Sequence, residues 1–102
     1  MEFIQYNTTV QQWIHTVLEN RETNADVVLE CCRDIIAYGR ETDDPKLMGF
    51  GFFYGGEIYY ELNDGAHFFH MMTEAMTYLD REEEWELVVR CYNFLGIASI
   101  SR

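Results

Sequence analysis

Pro45-Lys46-Leu47-Met48-Gly49-Phe50-Gly51-Phe52-Phe53-Tyr54-Gly55-Gly56-Glu57-Ile58-Tyr59-Tyr60-Glu61-Leu62 is the stretch on which the fold turns. Its aromatics favour strands, and Gly55-Gly56 would suit the primed turn of a β-hairpin. As a helix it carries internal glycines, each costing about 1 kcal/mol relative to alanine. On local chemistry the two readings are nearly balanced. Two neighbours decide for helix. Asp43-Asp44-Pro45 is a strong start signal, an acidic cap followed by proline at the first helical position. The flanking segments are helical, and a lone hairpin between them would be poorly supported. The glycines then admit a neighbouring helix at short range.

Working outward, four more helices are predicted. The first begins near Asn7 or Thr8, where Thr8 and Gln11 fit a capping box and Val10, Trp13, Ile14, Val17 and Leu18 share a face. Asn24 caps the second, whose stripe is Val27, Val28, Cys31, Cys32, Ile35 and Ile36, with Gly39 as the expected C-cap. Asn63-Asp64-Gly65 turns into the fourth, with Phe68, Phe69, Met72, Ala75, Met76 and Leu79 on its apolar side. Asp80 and Glu83 fit a cap leading to a fifth from about Glu83. Its apolar residues, from Trp85 through Ile100, run all the way round. Such a helix needs cover on more than one side. A closed bundle would supply it; the preferred expectation is that the chain is the front of a longer protein whose next helix follows.

The 102 residues make one domain's worth of chain, and 48% hydrophobic content with 16% aromatics excludes a disordered segment. The formal charge is −11 with only seven Lys and Arg. That surface repels phosphate, so neither nucleic acid nor an anionic membrane is an expected partner, and a charged partner should be basic. Cys31, Cys32 and Cys91 form no disulfide framework and read as small core residues in a reducing cytoplasm. Met1-Glu2-Phe3-Ile4-Gln5 has neither a basic region nor an apolar core of a signal peptide. The expected location is cytoplasmic.

Tyr92-x-x-Leu95-Gly96 resembles the first-helix signature of tetratricopeptide repeats. With Gly56 as the small residue of the preceding unit, Tyr59 takes the tyrosine position, and Phe68, Met72 and Ala75 take the packing positions of the second helix. The departures are a spacing of forty residues between the glycines instead of ~34, Ser99 for the second tyrosine, and Asp80 where proline is common. The resemblance implies an all-α domain of about five helices, antiparallel hairpins stacked as a right-handed superhelix. Tyr60-Glu61-Leu62-Asn63-Asp64-Gly65 through Phe68-Phe69, with Glu84-Trp85-Glu86-Leu87 through Ile97, is further similar to the helical repeats ahead of diguanylate cyclase (GGDEF) domains in bacterial signalling proteins. This implies a non-catalytic interaction or sensory module, with no cofactor, regulating a downstream cyclase. Gly55-Gly56-Glu57 is not itself that cyclase's signature, which needs a second acidic residue and a much larger domain.

In a repeat register the first helix of each pair lines a groove, directing Phe53, Glu57 and Tyr60, with Arg90, Asn93 and Ile97, toward a protein or peptide partner. Alanine at Phe53 or Tyr60 is then expected to weaken capture without unfolding the domain. The alternative is a small metal-binding or enzymatic bundle using His67, His70 and Glu74, which lie on one helical face. Zinc asks for three or four ligands, and two exposed histidines with a His70–Glu74 helix pair account for the same residues. Asp43-Asp44 and Glu82-Glu83-Glu84 read as acids at helix N-termini. A third possibility is a homodimer through the exposed face of the last helix.

Overall fold

The computed structural model describes residues 3–100, with side chains described through Gly96. Five helices follow one another: α1 (Thr8–Asn20), α2 (Ala25–Glu41), α3 (Pro45–Glu61), α4 (Gly65–Arg81) and α5 (Trp85–Ile100). The expectation of an all-α fold holds, and the decisive stretch is a single helix with Pro45 in its first turn. Each helix packs on the one before it, the antiparallel arrangement that short connections enforce.

Helix starts are set by side-chain caps. Asn7, Asn24, Asp44 and Asp64 each accept a bond from the backbone N–H three residues on. The cap of α1 is therefore Asn7 and not Thr8, while Gln11 donates back to the carbonyls of Ile4 and Tyr6. Helix ends show a device that the sequence reading missed. Asp43, Asn63 and Glu83 adopt left-handed φ values of 53°, 58° and 56°. The next N–H then reaches back to Gly39, Tyr59 or Leu79 at 2.7, 2.9 and 2.9 Å, satisfying carbonyls of the last turn. These links recur every twenty residues, so each helical pair spans forty, the spacing noted between Gly56 and Gly96. Gly39 is not a C-cap: α2 runs on to Glu41, because Gly39 is the notch into which Met48 and Leu47 pack. Likewise Asp80 lies within α4, and α5 begins at Trp85 and not at Glu83.

The helix covered on all sides is α3: every residue from Leu47 to Ile58 is buried. Its glycines make this possible. A Cβ on Gly51 would stand 2.6 Å from Ile36 Cγ1 and 3.1 Å from the Cys32 carbonyl oxygen. A Cβ on Gly55 would meet only the terminal methyl of Met71 at short range, 2.5 Å away. The two positions should therefore part company. Gly51→Ala is expected to destabilise by about 1–2 kcal/mol, because backbone on α2 must shift and the overpacking outweighs the helix-propensity gain. Gly55→Ala lets a flexible Met71 swing aside and should be neutral or stabilising by up to about 1 kcal/mol. Urea midpoints of the two variants check this; equal losses would mean that close approach is not what the glycines provide.

The buried set is continuous from Val10 on α1 to Cys91 on α5. The last helix is not the centre of a closed bundle. It buries Leu87, Val88 and Cys91, while Trp85, Val89 and Tyr92 are 55%, 55% and 62% exposed. Among the described residues no helix is long and apolar enough to cross a membrane.

Candidate functional site

Glu57 is the one charged residue between Leu47 and Tyr60 and the one buried charge in the described core. A carboxylate in such surroundings must be paired, and two arginines from distant helices pair it. Arg21, just past the end of α1, donates through Nε to Oε1 at 2.8 Å and through Nη2 to Oε2 at 2.7 Å. Arg90 of α5 donates through Nη2 to Oε2 at 3.1 Å. Each guanidinium also covers an aromatic ring of α3, Arg21 over Tyr54 at 5.1 Å and Arg90 over Phe53 at 4.7 Å, a cation–π arrangement. This clamp ties both outer first-of-pair helices to the central one.

Beside the clamp opens a cleft of about 160 Å³, formed by α1, α3 and α5 together with Phe3. Leu18, Phe50, Tyr54 and Leu87 line it with apolar surface, and Glu84, Glu86 and Arg90 supply charge. Phe3 packs edge-on against Phe50 at 5.2 Å and lies under Lys46, and Lys46 approaches Glu84 at 3.8 Å.

The residues assigned to a groove from sequence divide. Arg90 lines the cleft. Phe53 does not: it is fully buried, edge-on to Tyr54 and Phe94. Glu57 is likewise beneath the surface, held by the arginines. Tyr60 is half-buried against Phe68 and Phe94, and Asn93 is exposed. The side chain of Ile97 lies outside the described residues. The shift has a physical cause. Residues 50, 53, 54 and 57 share one stripe of α3, with Tyr54 on its α1 side under Arg21 and Phe53 on its α5 side, where Arg90 and Phe94 cover it. Sequence reasoning missed Arg21, whose signal was present in Glu57 itself, a lone charge in an apolar run that requires a buried counter-ion.

His67, His70 and Glu74 do not converge. His67 bonds through Nδ1 to the cap Asp64 at 2.8 Å and stacks on Tyr59, and this pairing, led by the His67 backbone N–H, holds the Asp64 carboxyl below its usual range. His70 stands edge-on to Phe52, in place of the ion pair expected with Glu74. Among the described residues no three of His, Cys, Asp and Glu are grouped to hold a metal ion. The thiols are unsuited to nucleophilic work. Burial pushes Cys32 far up, and Cys31 in the same direction. Cys91 is pushed up to about 11 by burial in spite of Arg90. They pack as small apolar groups.

Compared with protein-family models, curated proteins and solved structures, the chain matches none.

Proposed function

We infer that this chain is a non-catalytic protein-interaction module whose first-of-pair helices receive an extended, basic peptide segment. The observation that carries this is the cleft lined by Leu18, Phe50, Tyr54 and Leu87 and edged by Glu84 and Glu86, with Arg90, the cation in its lining, drawn to Glu57. Apolar floor with acidic edge takes a chain that offers an apolar anchor between lysines or arginines, and the net charge of −11 steers such a segment toward it. The repeating hairpins and the resemblance to tetratricopeptide units support a superhelical scaffold for that role. The similarity to repeats ahead of diguanylate cyclase domains supports a signalling output, with peptide docking as the regulatory input and the cytoplasm as its setting.

Selection of a displayed random-peptide library on the purified chain tests the reading. Enriched peptides should combine a large apolar residue with flanking basic ones. Leu18→Lys and Glu86→Lys, both at exposed positions, should each weaken their binding by about tenfold with unchanged melting. Peptides without basic enrichment, or binding indifferent to both substitutions, would refute it.

A further inference from the structure

Arg33 and Arg40 of α2 are cations without a counterpart in an acidic chain. Arg21 and Arg90 grip Glu57, Lys46 lies near Glu84, and Arg81 covers the Tyr78 ring. Among the described residues Arg33 and Arg40 make no ion pair, hydrogen bond or ring contact. Glu30 precedes Arg33 by three residues, a spacing that pairs charges on a helix, yet no pair forms. Both arginines instead line a second cleft, of about 260 Å³, bounded by α2, α3 and α4. Ile36, Ala37 and Met71 give it apolar surface, and Tyr59, whose ring stacks with His67 at 4.8 Å, adds an aromatic wall. It shares no residue with the cleft formed by α1, α3 and α5. The arginines stand two helical turns apart, about 10 Å along the axis, and the small side chain of Ala37 between them leaves the space open. The fold does not ask for them. Forty residues on, α4 has Thr73 and Asp80 at the same places, while Val28, Cys32 and Ile35 are matched by Phe68, Met72 and Ala75, all buried.

We propose that this cleft binds a small organic anion, an aromatic or apolar body that carries one carboxylate or phosphate group. The anionic group sits between Arg33 and Arg40, and the body lies against Tyr59 and Met71. The planar guanidinium fork matches the oxygens of either group. The volume is close to that of the smallest pockets that hold such ligands, about 300 Å³. Charge decides against a larger occupant. The net charge of −11 opposes every anion, and the opposition grows with the charge that the ligand carries. A nucleic acid or an acidic protein segment meets it many times over, a single anionic group once. For an ion seated between the arginines, their contact outweighs the more distant acids, which salt screens beyond about 8–10 Å. The site does not depend on peptide docking in the other cleft.

The probes are phenyl phosphate and phenylacetate, each titrated into the intact chain at constant ionic strength while backbone amide signals are followed by NMR. Inorganic phosphate and benzyl alcohol, the charge alone and the body alone, are the controls. At least one probe should bind one-to-one and shift the amides of Ala37 and Tyr59, with both controls weaker by about tenfold or more. The stronger probe tells which anionic group the arginines prefer. Arg33→Gln with Arg40→Gln should remove the binding and leave melting unchanged, both positions being exposed. Ala37→Leu, also at an exposed helical position, fills the space between the arginines and should remove the binding with both charges in place. No saturable binding of either probe, a control that binds equally, or binding that survives the arginine pair or Ala37→Leu would each overturn the proposal. So would arginine-dependent binding of hexaglutamate more tightly than either probe, which would assign the cleft to an acidic protein segment.

Discussion

Phe53→Ala will destabilise the protein by about 3–5 kcal/mol, the range for deleting a fully buried phenylalanine. Phe53 has no exposed surface and contacts Tyr54, Phe94 and the Arg90 guanidinium. The substitution removes the ring on which α5 rests and leaves a cavity that a helix locked between α2 and α4 cannot collapse. At about 4–8 °C of melting temperature per kcal/mol for a domain of this size, the midpoint should fall by well over ten degrees. Tyr60→Ala, half-buried between Phe68 and Phe94, should cost less, about 1–2 kcal/mol. Urea denaturation of both variants checks the order. A loss under about 1 kcal/mol at Phe53 would restore the groove role expected from sequence and contradict the packing described above.

Removing both arginines of the clamp should rank next. Arg21→Met with Arg90→Met leaves the Glu57 carboxylate buried without a partner, and breaking a buried pair in this way costs about 3 kcal/mol, the lower end of the range because the guanidiniums are partly exposed and water can follow them. Arg21→Met alone should account for more than Arg90→Met, since Arg21 grips both carboxylate oxygens and Arg90 only one. The control is decisive. Adding Glu57→Met to the double variant eliminates the orphaned charge and should recover most of the loss. If the triple variant is as unstable as the double, the arginines contribute through packing over Tyr54 and Phe53 and not through charge. Thermal melts of the four proteins at one pH and salt concentration distinguish the two outcomes.

The helix starts were legible because they are local chemistry. Asn24, Asp44-Pro45 and Asp64 announce themselves by side-chain type, and each caps the helix read from it. Helix ends were less so. Three non-glycine residues take left-handed backbone, Asp43, Asn63 and Glu83; Asn and Asp are types that tolerate it, but they are common elsewhere too, and Glu83 gives no sign of it. Their regular spacing was nonetheless on view in the paired polar residues at 43–44, 63–64 and 83–84. The candidate cleft was only partly legible. Repeat register pointed to α3 and α5 and to Arg90, but the residues that line it on α3 are Phe50 and Tyr54, and a helix apolar on every side offers no periodicity to choose between them.

The sequence by itself determined that one helix starts at Pro45 and runs through the glycines to the turn before Asp64, that four others flank it, and that the surface is strongly acidic, because caps, stripes and charge depend on neighbours along the chain. Only the tertiary structure decided which helix is enclosed, which glycines admit α2, where Glu57 finds its two arginines, and which stripe of α5 is left uncovered. Those outcomes depend on the rotation of each helix about its axis against partners many residues away, and less than one residue of rotation separates Phe53 in the core from Tyr54 at the cleft.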